Sequence, residues 1–321
     1  MSLTRRSFLE SLMAANAALA AKVDPKSGMP TRVLGKTKAR VSVVGLGCGS
    51  RLLSYKTEDK AVEAIEKALS LGVTYIDTAF GYGSGVSESW VGKALDGGKR
   101  KNVWLVTKIN ERDADKSMRI LEESLKRLRT DHIDLIHIHS LQGMDDLAKV
   151  EAGSLKTLYK LRDQKVARFI GVTSHTDPVT LKAAIERNDF DCTQMALNAA
   201  LVGMKDGKKG MEVNKAMKDS FEHIALPAAL KKKMGVTAMK IFGQEGLLGA
   251  APIERLIHYS MSLPVAAVVL GMPKLEFMDE NIQHAKAFKP LGKSDMKELS
   301  DRLSHEYKAK LDDFFRDHVD A

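Results

Sequence analysis

Eight short runs rich in β-favouring residues recur along the chain at nearly regular intervals. The intervals between their starting points average about 32 residues, which is the length of one strand–helix unit. Between the runs, apolar residues are spaced along one helical face, as from Ala61 to Leu71 and from Met118 to Leu128. Eight alternating units favour a parallel sheet closed into a (β/α)8 barrel. The runs begin at Val41, Val73, Val103, Ile133, Arg168, Cys192, Gly235 and Val265.

An open parallel sheet that binds a dinucleotide is the competing fold, and it depends on the glycine-rich segment from Gly45 to Ser50. The dinucleotide fingerprint needs glycine at its sixth position and an acidic residue about 20 residues later. The sixth position is Ser50, and the next acidic residue at a strand end is Asp77, 32 residues after Gly45. The fingerprint fails, so the α/β fold class is a (β/α)8 TIM barrel.

Two additions are expected outside the barrel. The segment from Thr31 to Arg40 looks like an N-terminal β-hairpin with its turn at Gly35-Lys36, placed to cover the barrel floor. Residues 294–318 are strongly charged and carry apolar residues at helical spacing, which predicts an extra C-terminal helix. Those apolar residues are Met296, Leu299, Leu303, Tyr307 and Leu311.

Residues 1–28 are interpreted as a targeting segment followed by a polar linker, and residues 29–321 as a single barrel domain. Arg5-Arg6 precede a weakly apolar, alanine-rich stretch that ends in the small-residue site Ala18-Leu19-Ala20. This combination predicts a twin-arginine signal peptide, with the export machinery as a partner and a periplasmic or otherwise exported location. A frayed amphipathic helix is the alternative interpretation of the same residues.

Composition excludes several classes of protein. The two cysteines, Cys48 and Cys192, are too few for a disulfide scaffold, a zinc ribbon or a four-cysteine cluster. No run of 18 apolar residues occurs, so the sequence predicts no membrane span. Of the net charge of +9, residues 1–40 hold eight basic and two acidic groups. The rest of the chain is nearly balanced and only 6% of the chain is aromatic, so no nucleic-acid partner is expected.

Polar residues follow successive predicted strands at the point where each strand ends. Asp77 follows the second strand, Lys108 the third, His139 the fourth and Thr173-Ser174-His175 the fifth. Tyr82 lies five residues after Asp77, among glycines that let the loop bend. Active sites of such barrels are built at the carboxyl ends of the strands. We therefore expect these side chains to meet in one site.

The residue types at this site suit carbonyl chemistry. Buried Asp77 and Lys108 should pair, because neither charge tolerates burial alone. The Lys108 ammonium should favour the phenolate of Tyr82 and lower its pKa from about 10 toward working pH. Such a tyrosine can deliver a proton to a carbonyl oxygen as hydride reaches the carbon, while His139 orients the carbonyl.

Several short stretches occur in an order typical of one family. They are Arg32-Val33-Leu34-Gly35, Gly45-Leu46-Gly47, Asp77-Thr78-Ala79, Tyr82-Gly83, Ser87-Glu88, Val106-Thr107-Lys108, Asp134-Leu135, Ile138-His139 and Ile170-Gly171-Val172. Over roughly residues 30–285 the sequence thus resembles the aldo-keto reductases. The resemblance implies a monomeric barrel that binds NADPH, with NADH possible, and reversibly reduces a small aldehyde or ketone. Tyr82 is implied as acid/base, Lys108 and Asp77 as the groups that tune it, and His139 as the residue that orients substrate.

The resemblance also implies a cofactor site without metal. Thr173-Ser174 stand where the family usually has Ser-Asn, and Gln194 matches the glutamine that holds the nicotinamide amide. Met239 or Phe242 replaces the usual aromatic under the nicotinamide ring, and Lys274 falls near the adenosine 2′-phosphate. The full set of implied cofactor-binding residues is Gly47, Cys48, Asp77, Thr173, Ser174, Gln194, Met239, Lys240, Phe242, Lys274, Glu280 and Asn281.

Two other functions remain open from the sequence. His137 and His139 lie two apart on a strand and point to the same side, so with His175 and Asp77 they could bind one metal ion in a barrel hydrolase. Such hydrolases usually carry this pair on the first strand, and the metal hypothesis leaves Tyr82 and Lys108 unexplained. The third function is a non-catalytic NADPH-binding barrel that serves a partner protein.

Overall fold

The structure is a computed structural model that describes residues 21–207, 210–214 and 217–306. The predicted export signal lies outside the described residues, as do Tyr307 and Leu311 of the predicted C-terminal helix. In chain order the strands are β1 (Lys22–Val23), β2 (Pro30–Val33), β3 (Arg40–Ser42), β4 (Val44–Gly47), β5 (Tyr75–Asp77), β6 (Trp104–Ile109), β7 (Ile133–Ile138), β8 (Ala167–Ser174), β9 (Cys192–Ala196), β10 (Met204–Gly207), β11 (Gly210–Val213), β12 (Gly235–Met239) and β13 (Ala267–Leu270).

Eight parallel strands of the described residues close into a barrel, in the order β4 to β9, then β12 and β13. β13 pairs back onto β4, with Val268 opposite Val44, which leaves this sheet without an edge. Each of the eight predicted β-rich runs supplies one barrel strand, so the predicted fold class is confirmed.

Helices lie between the strands and cover the outside of the barrel, and α10 and α11 follow the last strand. They are α1 (Ser50–Leu53), α2 (Glu58–Ser70), α3 (Val86–Ala94), α4 (Ala114–Leu128), α5 (Met144–Ala152), α6 (Ser154–Asp163), α7 (Pro178–Arg187), α8 (Phe221–Lys231), α9 (Ile253–Ser262), α10 (Leu275–Lys286) and α11 (Lys293–Glu306). The apolar face of α2 buries Ala61, Ala64, Ile65 and Ala68 against the strands, as its spacing predicts. None of the described helices combines the length and hydrophobicity needed to cross a membrane.

The N-terminal sheet is larger than the predicted hairpin. β2 and β3 form the expected antiparallel pair, but β1 adds a third strand inside the segment that we interpreted as a linker. Val41 and Ser42 belong to this sheet, and the first barrel strand begins only at Val44. The turn at Gly35 has φ of 49°, and a Cβ there would lie 2.3 Å from the backbone of Met234 and Gly235. Only glycine lets the turn press this closely against the barrel floor.

Alternation along the strands separates two packed layers. Tyr75, Trp104, Val106 and Leu135 belong to a cluster inside the barrel, and Leu34 of the N-terminal segment packs into it from below. The intervening residues face the helices and join a larger cluster. Because side chains alternate across a strand, Asp77 and Lys108 continue the inward-facing series of β5 and β6 to the top of the barrel.

Candidate active site

A cavity of about 560 Å³ opens at the carboxyl ends of the barrel strands. Each barrel strand, or the loop that follows it, contributes to its wall. The side formed after β12, β13 and β4 carries Met239, Ile241, Phe242, Leu248, Ile253 and Phe277. The opposite side, formed after β6, β7 and β8, carries Asn110, Arg112, His139, Ser140, Gln142 and His175.

Asp77 and Lys108 form an ion pair at the base of this cavity. The distance from Lys108 Nζ to Asp77 Oδ1 is 2.6 Å, and the side chains are only 1% and 5% exposed. The ammonium also donates to the carbonyl of Thr78 at 2.9 Å. Burial alone would lower the pKa of Lys108, but Asp77 and Tyr82 together outweigh it, so the pKa is raised. Lys108 therefore stays a cation at neutral pH, as the predicted pairing requires.

Tyr82 reaches the same ammonium from the loop after β5. Its hydroxyl lies 3.4 Å from Lys108 Nζ. The loop turns back through Gly83, whose φ is 57° and whose missing Cβ would lie 2.9 Å from Leu53. A Cβ on Gly49 would lie 3.5 Å from the Tyr82 ring, an ordinary van der Waals distance, so Gly49 packs directly beside this ring.

The prediction that the pKa of Tyr82 is lowered is wrong. Burial of the phenol raises its pKa above the ordinary value; Lys108 lowers it, and Asp77 raises it. Because burial is the largest influence and Asp77 opposes part of the effect of the ammonium, the net shift of the pKa is upward. At neutral pH Tyr82 therefore carries its proton, which is the form that can donate it.

His139 lies beside Tyr82, with its ring edge-on and the two ring centroids 5.6 Å apart. Burial, followed by the nearby charge of Lys108, holds the pKa of His139 well below its ordinary value. The imidazole is therefore neutral and keeps one N–H to donate. Its backbone N–H donates to Ile109 O at 2.8 Å, which ties the end of β7 to β6.

An arginine that the sequence interpretation missed supports the His139 backbone. Arg112 Nη2 donates to His139 O at 2.9 Å and to Ser140 O at 3.3 Å. The same guanidinium binds Asp146 through both carboxylate oxygens, at 2.8 and 2.9 Å. Arg112 lies only four residues beyond Lys108. It could therefore have been predicted from the principle that active-site residues follow the carboxyl ends of the barrel strands.

The aldo/keto reductase family profile matches residues 44–251, more than half of the chain. The chain belongs to the aldo/keto reductase family. It is an NAD(P)H-dependent oxidoreductase, and reductases of this family act on small-molecule carbonyl substrates.

Similar proteins include a bacterial oxidoreductase and two bacterial aldo-keto reductases. The uncharacterized oxidoreductase YqkF of Bacillus subtilis is 26% identical over 314 residues, covering 88% of this chain and 99% of that protein. Aldo-keto reductase YhdN of the same organism is 38% identical over 156 residues, covering 44% of this chain and 46% of that protein. The holo form of aldo-keto reductase AKR11C1 from Bacillus halodurans has a TM-score of 0.70 at 21% identity, covering 87% of this chain and 99% of that one. That structural likeness shows the fold.

Most of the predicted cofactor residues of this aldo/keto reductase line the cavity. Gln194 also donates from Nε2 to Asp77 Oδ2 at 3.1 Å, which links it to the central ion pair. The cavity extends to Phe277 at the start of α10 and to Asn281 one turn further on. The predicted residues that line it are Gly47, Asp77, Gln194, Met239, Lys240, Phe242, Glu280 and Asn281.

Four predicted cofactor residues do not line the cavity. The Thr173 hydroxyl accepts from Ser140 N–H at 2.8 Å, and the Ser174 hydroxyl donates to Leu141 O at 2.8 Å. These two side chains therefore hold the loop after β7. Cys48 is buried, with its thiol 3.7 Å from Leu46 O. Lys274 is exposed just before α10, with its ammonium 5.3 Å from the Phe277 ring centroid.

The histidine pair of the metal hypothesis is divided between two environments. His139 borders the cavity, whereas His137 is fully buried inside the barrel. Neither ring nitrogen of His137 has a hydrogen-bond partner among the described residues. Within that part of the chain, no three His, Cys, Asp or Glu side chains come together as a metal-binding group. The geometry does not favour the hydrolase hypothesis.

Proposed function

We propose that this protein is an NADPH-dependent reductase that converts a small aldehyde or ketone to the alcohol, with Tyr82 as general acid/base. The observation that carries the proposal is the contact between the Tyr82 hydroxyl and the Lys108 ammonium, 3.4 Å apart. This ammonium is anchored by Asp77 at the base of a cavity that also holds His139.

The cavity suits an extended dinucleotide. Gln194 and Met239 would flank the nicotinamide, while Phe277, Glu280 and Asn281 would surround the adenosine. Lys274 lies just before the first turn of α10, where a helix N-terminus attracts anions, so it would serve a 2′-phosphate and favour NADPH over NADH. When bound, the cofactor supplies the hydride that reduces the carbonyl carbon.

The protein's own residues donate the proton that the carbonyl oxygen receives during reduction. Neutral Tyr82 donates its phenolic proton to the carbonyl oxygen, and the resulting phenolate lies beside the Lys108 ammonium, which stabilises it. Neutral His139 donates a hydrogen bond that orients the same oxygen. In the oxidative direction the phenolate takes the alcohol proton back, so the same groups serve both directions.

Cofactor binding tests the proposal first. NADPH is titrated into protein shown to be free of bound nucleotide, and quenching of Trp90 and Trp104 is followed. Saturable binding that is tighter for NADPH than for NADH supports the assignment, and absence of binding refutes it. A panel of aldehydes and ketones then tests reduction, with Tyr82→Phe as the control. Binding without turnover of any carbonyl would favour the non-catalytic alternative.

We also propose that the chain is exported by the twin-arginine route. The support is the Arg5-Arg6 pair followed by a weakly apolar stretch ending at Ala20. Cleavage there would leave β1 in the mature chain, where it pairs with β2. Because free nicotinamide is scarce outside the cytoplasm, the folded chain would carry its cofactor with it. Cell fractionation of the full chain and of a variant with both arginines changed to lysine tests this. Equal export of the two, or nucleotide-free protein from the periplasm, would contradict it.

A further inference from the structure

The two sides of the cavity differ in chemistry. The side after β12, β13 and β4 carries large apolar side chains such as Met239 and Phe242. Charged and polar residues stand among them, including Arg51, Lys240 and Glu245. Among the described lining residues, the loops after β6, β7 and β8 place only polar side chains around Tyr82 and His139. We call this group the polar wall, and it consists of Asn110, Arg112, Ser140, Gln142 and His175.

Hydrogen bonds within the polar wall determine which of its atoms act as donors and which as acceptors. His175 Nδ1 lies 3.0 Å from Met204 O, and since a carbonyl only accepts, Nδ1 carries the ring proton. In the neutral ring His175 Nε2 is then an acceptor, and the Ser140 hydroxyl, 3.2 Å away, donates to it. Gln142 Nε2 donates in turn to Ser140 Oγ at 3.1 Å. The side-chain amide of Asn110 is exposed, and no hydrogen bond joins it to another described residue.

The lysine and arginine side chains beside the polar wall each pair with a carboxylate. Lys108 is paired with Asp77, and Arg112 with Asp146 through two hydrogen bonds. The remaining Arg112 nitrogen, Nη1, is shielded from solvent. His139 is neutral because its pKa is lowered. The described residues of the wall thus offer donors and acceptors to a ligand but no unmatched cation for a carboxylate or phosphate.

We propose that the physiological substrate is a small, uncharged, hydroxylated aldehyde or ketone, and that the polar wall selects it by binding its hydroxyl groups. Asn110 and Gln142, both exposed to the cavity, are the specificity-determining residues. A plain alkyl chain would desolvate these amides without replacing their hydrogen bonds, which disfavours an apolar substrate. This inference depends on the proposed reductase function.

The test compares glyceraldehyde with propanal, which has the same carbon chain without the hydroxyls. The wild-type enzyme should give the larger kcat/KM with glyceraldehyde. Asn110→Leu and Gln142→Leu should each lower the glyceraldehyde-to-propanal ratio roughly two- to twelvefold, the effect of one lost hydrogen bond. Asp295→Asn, on the exposed first turn of α11, is the control and should leave the ratio unchanged.

A binding measurement separates this inference from the reductase proposal. Nuclear magnetic resonance titration of the wild-type protein should show tighter binding of glycerol than of 1-propanol, and Gln142→Leu should remove the difference. If both aldehydes are reduced but neither leucine variant changes the ratio, the inference is wrong and the reductase function stands. If neither aldehyde nor any other carbonyl is reduced, the reductase function fails, and the substrate inference fails with it. Tighter binding of the carboxylate lactate than of glycerol would overturn the uncharged class.

Discussion

Replacing Asp77 with asparagine removes one charge from the centre of the site and keeps the shape of the side chain. The carboxylate lies 2.6 Å from Lys108 Nζ and 3.1 Å from Gln194 Nε2, and the ion pair is almost entirely buried. Asp77→Asn leaves the Lys108 ammonium without a counter-charge in the barrel. Removing one partner of a buried pair costs about 3–5 kcal/mol, so the free energy of unfolding should fall by that amount near pH 6.

The free energy of unfolding should also depend on pH differently in the wild-type protein and in Asp77→Asn. In the wild-type protein the pKa of Lys108 is raised, so its stabilising effect is present below the ordinary lysine pKa and is lost only as pH rises through the higher folded value. In the variant, burial would instead lower the pKa of Lys108. The unfolded chain then binds more protons than the folded one, so the variant's free energy of unfolding should rise from pH 6 to pH 9.

Both effects are measured by urea unfolding, with the fluorescence of Trp90 and Trp104 as the signal. The matched control is Asp96→Asn, which breaks the pair between Asp96 and Arg129, whose side chains are about half exposed. An exposed pair contributes about 0–1 kcal/mol, so the control should change stability little. Equal losses in the two variants, or no rise in stability with pH for Asp77→Asn, would refute the reasoning.

The remaining predictions concern the proton donor and the loop that carries His139. Tyr82→Phe should lower kcat for carbonyl reduction by about 10²–10⁴ while NADPH binding persists; a smaller loss would remove Tyr82 as the acid. Because the pKa of Tyr82 is raised, the wild-type reduction rate should stay level from pH 7 to about pH 9 and fall only at higher pH, whereas a fall already near pH 8 would contradict the neutral phenol. Arg112→Met should lower kcat more than KM changes and lower stability by about 2–4 kcal/mol, with partial recovery in Arg112→Lys; unchanged kcat in the methionine variant would mean that the guanidinium does not position His139. Thr173→Val should lower stability by about 1–2 kcal/mol, because the Ser140 N–H loses its acceptor, and leave the Kd for NADPH unchanged; a weakened Kd would return Thr173 to the cofactor site.

Spacing along the chain determined the architecture and the central residues. Runs about 32 residues apart can bury both sheet faces only by alternating strand and helix, and eight such units close into a barrel. Parallel strands bring their carboxyl ends to one face, so Asp77, Lys108 and His139 could be grouped from their positions alone. Tyr82 could be added because glycines follow it in a short loop.

The tertiary structure decided properties that depend on distances across the chain. The pKa of Tyr82 follows from burial and from the balance between Lys108 and Asp77, and sequence shows only that these groups are neighbours. Thr173 could equally have faced the cofactor or the loop after β7, and its hydroxyl binds Ser140 N–H because that backbone donor needs an acceptor. Arg112, on the loop after β6, and Asp146, in the first turn of α5, lie 34 positions apart in the chain and meet to hold the His139 backbone. Residue type and spacing fixed which groups gather at the strand ends, whereas hydrogen-bond partners and charge balance were set only when the barrel closed around them.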